Sequence, residues 1–307
     1  MVEHHDVELL PFEILREVAL MLPPADVRSL SATCDALRTE LVGAHFKARW
    51  SVAHRREVGT WAEIGDCEAV KEMLAIGSIS SEAADNCLKL AATQGHAGVV
   101  RVLIDGVPVG TEIVRSAMHL AAENGHVECV RMLLQVLRDA NVGPRYFVDY
   151  ALMGAARGGH DRIVAILMDA GANVHYQEDL SVCNASANGH VHVVHQLIAA
   201  GARLTTRNYL ALRQATQHGH DAVVCTLLRI SSPPMSMVND CLAVAATNGH
   251  HSIVTLLLSK EPSNYAIAVA SLYAFINGRV YTAYILVCHL FGSICAMVHD
   301  FAQHTWM

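Results

Sequence analysis

The chain has 307 residues, of which 52% are hydrophobic and 17% are charged, so it carries ample material for a folded core and global disorder is excluded. Its formal net charge of −7 disfavours a nucleic-acid partner, because proteins that bind duplexes present a basic face. The nine cysteines stand singly, without a C-x-x-C pair, which disfavours a secreted disulfide framework and predicts reduced thiols in a cytoplasmic or nuclear compartment.

The first predicted element is a helical hairpin in "LLPFEILREVALMLPPADVRSLSATCDALRTEL", residues 9–41. Its first helix has apolar residues at Ile14, Leu15, Val18 and Leu22. The "PPAD" sequence ends that helix, and Asp26 is a good N-cap for the second one. A pair this short cannot hold a core by itself, so a partner or the rest of the chain must cover it.

The hairpin carries the pattern L-P-x-E-I-L-x-x-[IV]-x-x-x-L-P-x-x-D-[LV]-x-x-L-S-x-x-C. The matching residues are Leu10, Pro11, Glu13, Ile14, Leu15, Val18, Leu22, Pro23, Asp26, Val27, Leu30, Ser31 and Cys34. The segment therefore resembles an F-box. The resemblance implies an F-box-like helical domain over residues 8–50 that docks on the Skp-type subunit of a cullin-based ubiquitin ligase. The implied contact residues are Leu10, Pro11, Ile14, Leu15, Leu22 and Pro23. The alternative is that the hairpin only caps the N-terminal end of the following array.

A second pattern then returns eight times along the chain. Its glycines are Gly65, Gly95, Gly125, Gly159, Gly189, Gly219, Gly249 and Gly278, at spacings of 30, 30, 34, 30, 30, 30 and 29 residues. A fixed period of this length predicts a solenoid. Each unit has a small-residue helix before the glycine, and the glycine suits the left-handed position that closes such a helix.

A second helix is predicted after each repeat glycine. Apolar residues lie five, eight and nine positions past it, as in Val130, Leu133 and Leu134, and this spacing forms one helical face. One such helix pair cannot bury its face alone, so neighbouring pairs must stack.

The third unit carries the fullest motif, "SAMHLAAENGH". The residues that match T-P-L-H-x-A-A-x-x-G-H are Ser116, Ala117, Met118, His119, Ala121, Ala122, Gly125 and His126, and "GANV" at 171–174 and "GARL" at 201–204 match G-A-D-V. The array thus resembles the ankyrin repeat family.

The resemblance implies an all-α, ankyrin-type helical solenoid of about eight repeats over residues 51–290, after the small F-box-like segment, with 291–307 as a C-terminal cap or tail. Most units are shorter than usual between the second helix and the next first helix, so we expect stubby fingers. In this family, target contacts come from finger tips and first helices. The positions implied here are Asn173, His175, Tyr176, Arg203, Thr205 and Arg207.

The 19 histidines raise the question of a metal site. Six of them follow a repeat glycine, where the ring can hydrogen-bond backbone left open between helices. His190, His192 and His195 are close in sequence, but zinc needs three or four convergent ligands and none obviously completes the set, so an exposed helix face is favoured. We therefore predict no metal and no cofactor.

The stretch "VYTAYILVCHLFGSICAMV", residues 280–298, contains no Asp, Glu, Lys or Arg and is long enough for a membrane span. It nevertheless lies in repeat register, with Ala283, Leu286 and Val287 at core positions. Terminal helices in water are favoured, and a partner-binding face and a membrane anchor stay open as alternatives.

No nucleophile elbow, P-loop, Rossmann fingerprint or zinc-protease helix is present, so an enzyme is not expected. The leading hypothesis is a protein–protein interaction adaptor that recruits a Skp–cullin ligase and binds a target protein. The domain combination also resembles F-box/ankyrin proteins of large DNA viruses, which implies virus–host interaction in the host cytoplasm. The alternative is a plain ankyrin-repeat scaffold in which residues 1–50 are an N-terminal cap.

Overall fold

The structure is a computed structural model that describes residues 58–75, 80–139 and 145–305, with side chains of the last helix described through residue 292. Within these ranges it has sixteen helices and no strand. The helices are α1 (Val58–Ile64), α2 (Cys67–Ala75), α3 (Ser81–Gln94), α4 (Ala97–Gly106), α5 (Thr111–Glu123), α6 (Val127–Asp139), α7 (Arg145–Gly158), α8 (Asp161–Asp169), α9 (Leu180–Ala187), α10 (Val191–Ala199), α11 (Thr206–His218), α12 (Asp221–Ile230), α13 (Met235–Asn248), α14 (His251–Leu258), α15 (Asn264–Ile276) and α16 (Val280–Thr305).

The F-box-like segment 8–50 lies outside the described residues. The same holds for its predicted ligase contacts, Leu10, Pro11, Ile14, Leu15, Leu22 and Pro23. The chain divides into two compact units, Met1–Phe147 and Val148–Met307.

Each unit is a stack of helix pairs in two layers. In the first unit α1, α3 and α5 pack side by side, and α2, α4 and α6 form the second layer. In the second unit the layers are α9, α11, α13 and α15 on one side and α8, α10, α12, α14 and α16 on the other. The predicted all-α helical repeat fold is confirmed, because each pair buries its apolar face against its sequence neighbours.

The repeat glycines have the left-handed backbone that the sequence predicts, with φ between 71° and 85°. The histidine of the following repeat packs over five of them, Gly65, Gly95, Gly159, Gly189 and Gly219, so that a Cβ placed on Gly189 would lie 2.6 Å from Nδ1 of His220. Five histidines, His96, His126, His190, His220 and His250, hydrogen-bond through Nε2 to a carbonyl oxygen 33 residues earlier, over 2.7–3.1 Å. A carbonyl can only accept, so Nε2 carries the proton.

These histidines link adjacent repeats, as their predicted role in backbone hydrogen bonding requires. The last repeat departs from this scheme, since "INGR" has Arg279 where the six units from Gly95 to Gly249 have histidine. The arginine side chain takes the place of the ring, with Cδ lying 2.8 Å from where a Cβ on Gly249 would be. The degenerate unit therefore keeps the repeat register.

The core positions also follow the sequence pattern. The residues five and eight positions past each glycine are buried in the six units from Val100 to Leu257. Three positions before the glycine, five units bury an alanine: Ala62, Ala92, Ala122, Ala156 and Ala246. The last unit has Phe275 there, with 69% of its surface exposed. The last repeat therefore departs from the buried small-residue pattern at this position.

Helix α16 runs from Val280 to Thr305 and continues past residue 290, where the sequence analysis places the start of a tail. Among the described residues, no helix combines the length and apolarity needed to cross a membrane.

The described cysteines are all free thiols, and burial raises the pKa of Cys87, Cys129, Cys183 and Cys241 to about 11. At pH 8 a thiol with this pKa is about 0.1% thiolate, roughly a hundred times less than an unperturbed one. We expect iodoacetamide to alkylate half-buried Cys67 and Cys225 well before these four in the native protein, as followed by peptide mass spectrometry. Rapid alkylation of Cys183 in the native protein would contradict its burial. In urea, where the protein is unfolded, all of the cysteines should be alkylated at similar rates.

Candidate functional site

Two extended turns, or fingers, project from the second unit. Finger 1 comprises residues 170–179, between α8 and α9, and finger 2 comprises residues 200–209, which includes the irregular first turn of α11. Three other connections, 107–110, 231–234 and 259–263, are much shorter and fit the expectation of stubby fingers, whereas fingers 1 and 2 are long although their repeats also span 30 residues. The six residues predicted to contact a target all lie on these fingers. Asn173, His175, Arg203, Thr205 and Arg207 are exposed, and Tyr176 is half-buried.

Each finger is anchored by a buried aspartate. An Oδ1 oxygen of Asp149 accepts the backbone N–H of Asn173, and Asp179 Oδ1 accepts that of Arg203 at 3.0 Å. Only 6% of Asp149 and none of Asp179 is exposed. The sequence analysis missed both residues. The available signal was an aspartate ten residues before each of the repeat glycines Gly159 and Gly189, in the two units followed by "GANV" and "GARL".

Asp179 also organises side chains on both fingers. His175 Nδ1 lies 2.7 Å from Oδ1, and Arg203 Nε lies 3.4 Å from Oδ2. Arg207 crosses from finger 2 to finger 1, donating from Nε to Glu178 Oε2 at 2.9 Å and from Nη2 to the Gln177 carbonyl oxygen at 3.2 Å. The structure thus brings three of the predicted residues into one network, which fixes the fingers to each other.

Asn173 and Thr205 lie outside that network. The Asn173 side-chain oxygen accepts the backbone N–H of His175 at 3.0 Å, which stabilises the turn of finger 1. Thr205 is exposed immediately before α11, where its side chain makes no capping hydrogen bond.

The backbone of both fingers is strained at equivalent positions. Three consecutive residues in each finger have left-handed φ: Gln177, Glu178 and Asp179 at 48–60°, and Arg207, Asn208 and Tyr209 at 50–57°. For residues with a Cβ this conformation costs about 1–2 kcal/mol each. The buried carboxylate and the Arg207 crossing hold the strained turns in place. Rigid, strained and exposed turns are typical of functional surfaces.

A groove lies on the first-helix layer of the same unit, between α11, α13 and α15. It encloses about 520 Å³, with Arg213, Asp240, Tyr265 and Tyr273 among the residues around it. Its floor is formed by small or branched apolar side chains of Ala243, Val244, Ala266 and Val269. Lateral helix packing creates this groove, so the sequence pattern alone did not indicate it.

Residues 60–146 match the family model of ankyrin repeats, in three copies. These residues are ankyrin repeats. No curated protein matches the chain significantly. Ankyrin repeats support a protein-interaction scaffold, and such proteins are typically without catalytic activity.

The histidines that follow the repeat glycines serve the architecture of the array. His190, which the metal hypothesis would require, donates to the Arg157 carbonyl oxygen at 3.0 Å, while His192 and His195 lie exposed on α10. In the described ranges, no group of three or more His, Cys, Asp or Glu residues is arranged to hold a metal ion. The fingers and the groove of the second unit present hydrogen-bonding groups, charges of both signs and exposed aromatic rings. These groups suit the recognition of another protein.

Proposed function

We propose that this protein is an adaptor in which the ankyrin repeats hold a target protein and the N-terminal F-box-like segment recruits a Skp–cullin ubiquitin ligase. The observation that carries the proposal is the dense F-box pattern from Leu10 to Cys34 ahead of the ankyrin repeats. Such an adaptor needs no catalytic residue, because tethering raises the effective concentration of the target near the ligase. It would act in the cytoplasm or nucleus, or in a host cytoplasm if the protein is viral.

The target would bind the second unit, at the fingers and the adjoining groove. Support comes from the pre-organisation of the fingers, since a surface that is already ordered loses little entropy on binding. The groove adds exposed Tyr265 and Tyr273, and rings of this kind dominate binding energy at interfaces.

The test is co-purification of the full-length chain with a purified Skp-type subunit. We expect the wild type to be retained and the double variant Leu10→Ala/Ile14→Asp to bind about 100-fold more weakly, because a carboxylate would enter an apolar helix interface. The control is Arg207→Ala, which removes a contact between the two fingers and leaves the F-box-like residues unchanged, so it should bind the Skp subunit as the wild type does.

Thermal melting monitored by circular dichroism must be unchanged in the double variant. Weaker binding can then be attributed to the altered contact residues and not to unfolding. If the wild type does not bind the Skp subunit, the alternative holds: a plain ankyrin-repeat scaffold in which residues 1–50 are an N-terminal cap.

A further inference from the structure

Helix α16 is apolar on two opposite faces. One face packs into the second unit and buries Thr282, Ala283 and Leu286, each with 7% or less of its surface exposed. The other face is open. Its apolar side chains, with their exposed fractions, are Val280 67%, Tyr281 65%, Tyr284 64%, Val287 37% and Phe291 61%. An exposed apolar surface on a folded protein marks an interaction site.

The open face has the spacing of a helix-pairing seam. Its central residues, separated alternately by four and three positions, are Val280, Tyr284, Val287 and Phe291. The sequence continues the same alternation at Ile294, Val298 and Phe301, in backbone that is helical through Thr305. Apolar residues sustained at this spacing over three heptads are typical of helices that pair along their length. We call Val280, Tyr284, Val287 and Phe291 the α16 stripe.

The stripe is not a general property of the repeat. Six and thirteen residues after the repeat glycine, α16 has Tyr284 and Phe291, whereas α6 has Arg131 and Arg138, both exposed to solvent. The repeat fold therefore tolerates charge at these two positions. The aromatic residues of α16 do not serve the packing of their own repeat.

We propose that the α16 stripe is a dimerisation surface, on which α16 packs against α16 of a second copy of this chain. Charge favours a second copy as the occupant. Residues 280–299 contain no Asp, Glu, Lys or Arg, so two copies meet without repulsion. The same stretch offers no cation to an anionic membrane and no ion pair to a charged partner.

The available area also fits a dimer. With about 150–250 Å² for each aromatic side chain, the five described side chains alone expose about 500 Å². Two copies would therefore bury about 1,000 Å² in total, which is at the low end of the range for a specific interface. A pairing of identical helices forms a closed twofold interface, which stops at two copies. This self-association is independent of the ligase link proposed above.

The test compares the full-length wild type with the double variant Tyr284→Arg/Phe291→Arg, which copies the residues of α6. By size-exclusion chromatography with light scattering at micromolar concentration, we expect a wild-type dimer and a monomeric variant. Self-association of the variant should be about 100-fold weaker, because four arginines would meet in an apolar seam. Alkylation of Cys288, exposed on the open face of a single chain, should be slower in the wild type than in the variant.

The matched control is Ile230→Arg, which places a charge on another exposed apolar residue, at the end of α12, and should remain dimeric. Equal melting temperatures of the three proteins show that folding is intact. A monomeric wild type overturns the proposal, as does a variant that stays dimeric. So does a monomeric wild type that co-sediments with phosphatidylcholine vesicles, since the stripe would then bind lipid.

Discussion

Gly189→Ala is expected to destabilise the second unit by about 2–4 kcal/mol, roughly twice the loss from Gly201→Ala. Both glycines have positive φ, 80° and 97°, so alanine is strained at both. Only at Gly189 is the space also filled, since the added Cβ would lie 2.6 Å from Nδ1 of His220, whereas nothing lies within 4 Å at Gly201. The ring must move, and its Nε2 hydrogen bond to the Ala187 carbonyl oxygen, 2.9 Å long, is then lost.

Urea unfolding followed by circular dichroism measures the difference in stability between Gly189→Ala and Gly201→Ala. A double-mutant cycle with His220→Ala tests whether this difference comes from the contact with the ring. In the His220→Ala background the ring is absent, so Gly189→Ala should cost no more than Gly201→Ala. Equal costs of the two glycine variants in the wild-type background would show that the ring contact contributes nothing. Because each repeat is stabilised mainly by its neighbours, the loss should extend to the adjoining helices in hydrogen exchange.

The contact between a repeat glycine and the histidine of the next repeat shows why the fold could be predicted from sequence. A glycine with left-handed φ, a histidine after it and an apolar i, i+3, i+4 face are local features that recur with a fixed period. Repetition makes them visible even where single residues vary, as with Arg279 in place of histidine. The interaction itself, from His220 back to Ala187, spans 33 residues, but the period makes that separation the same in every repeat that forms it.

The finger anchors could not be predicted in the same way. Asp149 and Asp179 each hold an N–H group 24 residues later, and this partnership exists only where a finger is long enough to fold back. The left-handed backbone at Gln177, Glu178 and Asp179 contains no glycine, so the sequence carries no signal that predicts it. Positions Asn173, His175 and Arg207 were identified by analogy as target contacts. The contact of Arg207 with Glu178 and Gln177 depends on tertiary packing between two repeats.

Asp179→Ala is expected to destabilise the second unit by about 2–3 kcal/mol, because hydrogen bonds to a charged group contribute about 1.5–3 kcal/mol and the Arg203 N–H group would lose its acceptor. The strained turn at Gln177 and Glu178 would also lose the contact that holds it, so finger 1 should relax. Urea unfolding gives the loss of stability. Hydrogen exchange should show faster exchange at both fingers, with α1–α6 unchanged.

Two variants separate the buried carboxylate from the surface charges around it. Asp179→Asn keeps an oxygen that can accept the Arg203 N–H while removing the charge, so it should cost less than alanine. Arg207→Ala removes the exposed pair with Glu178 and the exposed hydrogen bond to the Gln177 carbonyl oxygen, and exposed pairs contribute about 0–1 kcal/mol. If Arg207→Ala and Asp179→Ala were equally destabilising, the fingers would be held by their surface network, and the buried aspartate would not be their anchor. We expect the loss of stability to be largest for Asp179→Ala, smaller for Asp179→Asn and smallest for Arg207→Ala. This order follows from burial, because Asp179 is completely removed from water whereas Arg207 is exposed.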